Sequence, residues 1–130
     1  MTQAPLLVLV AGPYRSGTNG EQSLIDANLQ RLEAAALAVY QKGHLPVISE
    51  WLSLPLAHTA GSKALGDDIS ESLLYPLAHR LIGRCDAILR IPGQSAGADM
   101  DIQVATAHGL RIYYSLDDLP RPRCLWPERN

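Results

Sequence analysis

One continuous stretch, residues 85–109, constrains the fold of this chain more than any other. It begins with a β-favouring run over 87–91, continues through a short turn rich in Gly and Ser, and ends in a helical segment that stops at Gly109. A buried strand, a short turn and a helix in immediate succession are the unit of an open parallel α/β sheet. In such sheets ligands collect beyond the carboxyl ends of the strands, where helix N-termini present free N–H groups. The turn over 92–97 is therefore a candidate site.

A second unit of the same kind lies near the start of the chain. The run LLVLVA over 6–11 is typical of a strand that is covered on both faces. The turn over 12–20 is rich in Gly but matches neither of the two common nucleotide-binding motifs, GxGxxG and GxxxxGK[ST]. Apolar residues at helical spacing then predict a helix over 21–42, with Thr18 or Asn19 as its N-cap and Gly43 at its end.

The remaining segments complete an alternation of strands and helices. Residues 45–48 predict a short strand, and 49–68 lack periodicity, which is typical of a functional loop such as a lid or a partner contact. A helix is predicted from Asp67 or Asp68 to near Gly83, followed later by a strand over 110–114 and a surface-packed tail over 115–130. We therefore predict a single α/β domain over 1–130. Its expected fold is a flavodoxin-like or Rossmann-like doubly wound parallel sheet of four to five strands in three layers.

Composition excludes several classes of protein. With 47% hydrophobic residues and a net charge of -2, the chain is not of the disordered type and lacks the basic footprint of a nucleic acid polymer binder. The longest apolar run is too short to span a membrane and no basic signal region precedes it, so a cytoplasmic protein without a membrane partner is expected. Cys85 and Cys124 lack metal spacing and the four His form no ligand pair, so we expect reduced thiols, no metal and no cofactor.

Several side chains near the two turns are candidates for chemistry. Asp101 lies at the edge of a core-facing stripe and could face the cleft, whereas Asp99 is expected to favour the helix dipole. Ser95 could cap the helix or present its hydroxyl to a phosphate. Arg15 could pair with a phosphate, and Tyr14 could stack on a base or bond to a carboxylate. Pattern alone leaves the ordinary alternatives of capping, solvation and partial burial open for each of them.

Three segments together resemble the nucleoside 2-deoxyribosyltransferase superfamily, which includes the 2'-deoxynucleoside 5'-monophosphate N-glycosidases. These segments are AGPYRSG after the first strand, GHLPVISE after the first helix, and CDAILRIPGQSAGADMDIQVATAHGLRIYY. The resemblance covers most of residues 6–114 and is poor across the 50s and 60s. It implies a flavodoxin-like fold and retaining cleavage of an N-glycosidic bond by a carboxylate nucleophile. It also implies a homo-oligomer, and the segment from Trp51 to Leu56 and the tail would suit a dimer contact.

The resemblance assigns roles to particular positions. The family's nucleophile falls on Asp101, and we expect Tyr14 to be its positioning partner. The substrate-binding set is Gly12, Arg15, Ser95 and Gly97. Two departures stand out: the nucleophile is Asp rather than Glu, one methylene shorter, and the position of the family's second catalytic Asp falls near Ala78.

The first hypothesis is therefore an enzyme that cleaves the N-glycosidic bond of a nucleoside 5'-monophosphate. Besides a second copy of the chain, the only partner we expect is a small nucleotide or nucleoside. The alternatives are a base-exchanging nucleoside deoxyribosyltransferase, a nucleotide-binding module without catalysis, and a site for a phosphoribosyl or ADP-ribose group. The surroundings of Asp101 discriminate between catalysis and binding. A carboxylate that is buried beside Tyr14 and open to the cleft favours catalysis, and one that is salt-bridged outward favours binding alone.

Overall fold

A computed structural model describes residues 4–122 and shows a four-stranded, all-parallel sheet in the order β2-β1-β3-β4. The strands are β1 (Leu7–Ala11), β2 (Leu45–Val47), β3 (Ala87–Arg90) and β4 (Arg111–Tyr113). The helices are α1 (Gln22–Gln41), α2 (Glu50–Thr59), α3 (Asp68–Ile82) and α4 (Ala96–Ala107), followed by a 3-10 turn at Leu116–Asp118. The predicted doubly wound α/β fold with three layers is confirmed.

The two faces of the sheet carry separate halves of the core. Because successive strand residues point to opposite faces, Val8 and Val10 pack on one side and Leu9 and Ala11 on the other. The first half is completed by Leu32, Ala36 and Val39 of α1 together with Leu89. The second is completed by Ile82 of α3, Ile88 of β3, and Ala98 and Ala105 of α4. Helix α2 packs mainly on α3, so α2 and α3 form one unit beside the sheet.

Two side chains hold the amino ends of the strands. Asp86 Oδ2 accepts the Leu7 N–H at 2.8 Å. His44, which is fully buried, accepts the Leu6 N–H on Nδ1 at 2.9 Å and bonds through Nε2 to the Pro120 carbonyl. Since one ring nitrogen accepts and the other donates, His44 ties the start of β1 to the segment after the 3-10 turn.

The segment predicted to be a loop contains helix α2, so that prediction was wrong. The buried residues of α2 are Ser53 and Ala57, whereas Trp51, Leu52 and Leu56 are exposed. A helix that packs through small residues shows no apolar stripe in the sequence. Pro55, within α2, further obscures the pattern.

The predicted N-cap of α1 was also wrong, although the bounds of the helix were close to those observed. Glu21 precedes the first helical residue and makes no side-chain capping bond. Thr18 is instead used within the preceding loop, where its Oγ1 donates to the Arg15 carbonyl at 2.6 Å. Gly43 has φ +105° and follows the end of α1 as predicted.

The sheet order creates a crevice between β1 and β3. The chain leaves β1 toward β2 on one side and leaves β3 toward β4 on the other, so the loops after β1 and β3 diverge. None of the helices within residues 4–122 is long and apolar enough to cross a membrane. Cys124 and the part of the predicted tail beyond residue 122 lie outside the described residues.

Candidate functional site

A cavity of about 830 Å³ lies at the carboxyl ends of β1 and β3. Its walls are the loop after β1, the first turn of α2, part of α3 and the start of α4. All six residues predicted from the sequence line it, namely Gly12, Tyr14, Arg15, Ser95, Gly97 and Asp101. The structure therefore brings the whole predicted set to one place, although their roles stay predictions.

Glycines allow the two loops of the crevice to touch. A Cβ on Gly12 would lie 2.3 Å from Ile91 Cγ1, and a Cβ on Gly93 would lie 2.6 Å from Pro13 Cγ. Gly93 also has φ +123°, which side chains rarely tolerate. Gly12 is thus required for the packing of Ile91, independently of any contact with a ligand.

The backbone of the loop after β1 is fixed from two sides. The Asn28 amide on α1 donates to the Tyr14 carbonyl at 2.7 Å, and the Thr18 hydroxyl donates to the Arg15 carbonyl.

The Tyr14 ring is half-buried against the α1 face of the core. Burial raises the pKa of its hydroxyl, and the negative charges of Glu50 and Asp26 raise it further. Tyr14 therefore stays protonated at neutral pH.

The turn after β3 is organised by two polar side chains. Ser95 caps α4, since its Oγ accepts the Ala98 N–H at 3.1 Å. Arg90 is buried and donates to the Ile91 and Gly93 carbonyls and, at 3.0 Å, to Asp99 Oδ1. Asp99 therefore has a second task besides the expected one at the helix dipole: it is the counterion of a buried arginine.

Asp101 lies in the second turn of α4 and lines the cavity. It is half-buried, and no cation lies within 4.0 Å of it among the described residues. Burial is the main cause that raises the pKa of its carboxyl to about 7; the charge of Glu50 adds to this, and Arg90 opposes it. No hydrogen bond joins Tyr14 and Asp101 within the described part of the chain, so the positioning role of Tyr14 stays a prediction.

Glu50, Lys63 and Tyr75 also line the cavity and were not found from the sequence. Glu50 begins α2, after Ile48 and Ser49, which follow the second strand, and burial raises the pKa of its carboxyl. Its place just beyond the carboxyl end of a strand could have indicated from the sequence that Glu50 lies at the site. Lys63 lies between α2 and α3, in the segment predicted as a loop, and Tyr75 lies on the exposed side of α3. Neither gave a signal.

Ala78, near which the resemblance places a second catalytic Asp, lines the cavity and carries no proton donor. The neighbouring alternatives His79, Asp67 and Asp68 are not among the residues that line it. Asp67 is the N-cap of α3, and hydrogen bonds, first from the Ser70 N–H, hold the pKa of its carboxyl well below the usual range. Asp67 is thus a structural carboxylate rather than an acid.

Helix α2 presents exposed apolar side chains away from the cavity wall. Trp51, Leu52 and Leu56 are all more than 40% exposed, and Trp51 Nε1 donates to Glu33 Oε2 at 2.9 Å. These side chains lie in the segment for which a dimer contact was expected. The homodimer stays a prediction, and sedimentation at micromolar concentration tests it.

Fold and cavity together define a doubly wound α/β protein with flavodoxin-like strand order and a pocket at its topological switch point. Within residues 4–122, no group of three or more His, Cys, Asp or Glu side chains could hold a metal ion. Comparison of the chain with known protein families finds no family that matches, and comparison with curated proteins finds no match either.

Proposed function

We propose that this protein hydrolyses the N-glycosidic bond of a nucleoside 5'-monophosphate, with Asp101 as the nucleophile. The observation that carries the proposal is the contrast between two carboxylates on one helix. Asp99 is ion-paired to Arg90, whereas Asp101 lines the cavity with no cation within 4.0 Å in the described part of the chain, and the charge of Arg90 only partly offsets its burial. A half-buried carboxylate without an ion-pair partner is costly to keep, and such groups concentrate at functional sites.

The cavity also offers groups suited to a phosphate. The N-terminus of α4, at Ser95 and Gly97, presents backbone N–H groups and the positive end of the helix dipole. The Ser95 oxygen accepts the capping bond, which leaves its hydroxyl hydrogen available to a phosphate oxygen. Arg15 and Lys63 line the same cavity and supply two cations. These groups favour a monophosphate over an uncharged nucleoside.

The reaction follows from these placements. The ionised Asp101 carboxylate attacks C1' of the sugar, a C–O bond forms, and the C1'–N bond breaks with its electron pair leaving on the base. Water then cleaves the glycosyl ester and releases the sugar phosphate. Because attack requires the ionised form, protonation of Asp101 at low pH is expected to stop the first step, and its raised pKa brings this loss closer to neutral pH than for an ordinary carboxyl.

The size of the cavity suits this substrate. Pockets for small molecules span roughly 300–1,000 Å³, and the cavity of about 830 Å³ lies in the upper part of this range. Tyr14 and Tyr75 give its wall two aromatic rings on which a base could stack. A pocket of this size accommodates a base, a sugar and a phosphate together.

The test is release of free base from a panel of ribo- and deoxyribonucleoside 5'-monophosphates, measured by chromatography, with the matching nucleosides alongside. Asp101→Asn, which keeps the shape of the side chain, is expected to abolish release. Asp118→Asn, at an exposed position of the 3-10 turn, is the matched control and should behave as the wild type.

Each outcome assigns a function. Release that requires both the 5'-phosphate and Asp101 supports the proposal. Products formed only when a second free base is added would make the protein a base-exchanging transferase. If no base is released while nucleotides raise the melting temperature of wild type and variant alike, the protein is a binding module and the proposal is wrong.

A further inference from the structure

We infer that Glu50 is the second catalytic carboxylate of this site, the group that protonates the departing base and later deprotonates the attacking water. This inference rests on the proposed function, since it names the proton carrier of the same reaction. The resemblance places the second catalytic carboxylate near Ala78 on α3, whereas this inference places it on α2.

The geometry that supports it is the convergence of two carboxylates from two helices on one cavity. Glu50 is the first residue of α2, just beyond β2, and Asp101 lies in the second turn of α4. Both line the cavity. Within residues 4–122 neither has a cation within 4.0 Å, and the only hydrogen bond of the Glu50 carboxylate to another side chain comes from Ser49 Oγ at 3.4 Å.

Glu50 differs in its surroundings from the carboxylates that stabilise this fold. Those are ion-paired or accept hydrogen bonds from backbone N–H groups elsewhere in the fold, as Asp67, Asp86 and Asp99 do. The partners of Glu50 are its own backbone N–H at the start of α2 and the Ser49 hydroxyl, and it has no ion pair in the described part of the chain. These contacts do not offset its burial, because the pKa of its carboxyl is still raised.

The two carboxyls interact and can share one proton. Burial raises the pKa of both, and the charge of Glu50 raises that of Asp101 further. Two interacting carboxylates lose their protons in two steps, so over a range of pH the pair holds one proton. Because it is the ionised Glu50 that raises the pKa of Asp101, this proton rests on Asp101 in the ligand-free site and must pass to Glu50 before Asp101 attacks. The other charged or titratable groups that face this space are Tyr14, Arg15, Lys63 and Tyr75 from the walls, and the charge of Arg90 also reaches Asp101 and lowers its pKa.

The proton follows a closed cycle. As the C1'–N bond breaks, its electron pair on the base nitrogen takes the proton of the Glu50 carboxyl. The resulting carboxylate then removes a proton from a water molecule whose oxygen attacks C1', and the bond between C1' and the Asp101 oxygen breaks. Glu50 ends protonated and Asp101 ends ionised, as they were when Asp101 attacked. The net reaction consumes one water and yields the free base and the sugar phosphate.

Tyr14 is a competing proton donor, because it lines the cavity and its hydroxyl stays protonated at neutral pH. Two substrates distinguish a proton donor from a residue with another role: the natural nucleotide and a 4-nitrophenyl glycoside of the same sugar phosphate. 4-Nitrophenolate leaves without being protonated, so loss of the proton donor slows cleavage of the natural substrate far more. The variants are Glu50→Gln, Tyr14→Phe, and Glu21→Gln as a control at an exposed glutamate outside the cavity.

For Glu50→Gln we expect loss of base release by about 100-fold to 10,000-fold, the usual range for removal of a general acid or base. The wild-type pH profile should have an alkaline limb, where the carboxyl pair loses its last proton, and this limb should disappear in the variant. The nitrophenyl substrate should still give a burst of nitrophenolate as the glycosyl ester forms. Hydrolysis of this ester should then be slow, because no base activates the water. Azide should accelerate it, since azide attacks C1' without needing a base. Glu50→Asp, which keeps the acid, should retain the alkaline limb, and thermal unfolding confirms that each variant is folded.

Two results would overturn the inference while leaving the proposed function intact. In one, Glu50→Gln is as active as the wild type, or slows both substrates equally without azide rescue. In the other, Tyr14→Phe rather than Glu50→Gln gives the expected pattern, which would make Tyr14 the donor. A wild-type protein that releases neither base nor nitrophenolate overturns the proposed function itself, and the inference with it.

Discussion

Arg15 Nη1 lies 3.0 Å from Glu71 Oε1, so that an ion pair links the loop after β1 to helix α3 beside the cavity. Both side chains are 40% exposed. A pair this exposed contributes about 0–1 kcal/mol to folding. A phosphate that enters the cavity competes with Glu71 for the same guanidinium, and Glu71 therefore acts against phosphate binding.

Glu71→Gln is expected to tighten the binding of a nucleoside 5'-monophosphate by up to about fivefold, which corresponds to about 1 kcal/mol. Calorimetric titration in the Asp101→Asn background measures it without turnover. Arg15→Met should weaken the same binding, and the melting temperature should change little in either case. Equal affinities for all three proteins would show that Arg15 does not contact the phosphate.

Ser95 combines capping with the predicted contact to phosphate, and two substitutions separate these tasks. Ser95→Ala removes the cap of α4 and should lower the free energy of unfolding by about 1 kcal/mol, whereas Ser95→Gly should cost only a few tenths. Both lack the hydroxyl, so both should weaken phosphate affinity to a similar extent. If Ser95→Gly binds phosphate as the wild type does, Ser95 is a cap alone.

The order and type of most elements were predictable because single physical signals dominate them. The apolar runs of β1 and β3 must be covered on both faces, and the spacing of residues such as Ile25, Leu32 and Val39 defines the buried side of α1. Helix α2 was not predictable in this way. It packs through Ser53 and Ala57 and exposes its large apolar residues, which reverses the usual pattern.

The part of the site on β1 and β3 followed from the topology of parallel sheets. Since the carboxyl ends of neighbouring strands meet at one edge, Tyr14, Arg15, Ser95 and Asp101 were expected to lie close together. Glu50 was missed because it belongs to the helix that was not predicted. Arg90 was missed because, within the run AILRI, a charged residue gives no sign that its guanidinium turns to the loop carbonyls.

Arg90→Met should lower the free energy of unfolding by about 2–4 kcal/mol. The Ile91 and Gly93 carbonyls lose their hydrogen-bond donor, and Asp99 loses the guanidinium with which it is paired. Asp99→Asn is the comparison. The Asp99 side chain is mostly exposed, so this change should cost less than about 1 kcal/mol. Urea unfolding measures both values. Similar losses for the two variants would place the stabilisation in the ion pair and not in the loop bonds.

Asp101 is expected to make the ligand-free protein less stable as pH rises. Its carboxyl has a pKa of about 7 in the folded chain, against an ordinary value of 3.8. Below about pH 4 both the folded and the unfolded chain hold the proton, and the residue costs nothing. Between about pH 4 and 7 the unfolded chain loses its proton while the folded chain keeps it. The free energy of unfolding therefore falls across this window, and the full cost remains above it.

Asp101→Asn should remove this cost and raise the free energy of unfolding at pH 8 by roughly 1–3 kcal/mol, discounted from about 4 for partial solvent exposure. Near pH 4 the gain should be absent. Urea unfolding of wild type, Asp101→Asn and Asp118→Asn at pH 4 and pH 8 measures the difference. A gain of the same size at both pH values would mean that the amide improves packing and that Asp101 titrates as an ordinary carboxyl. A gain confined to pH 8 would establish that the fold keeps this carboxylate at the expense of stability, as expected of a group held for chemistry.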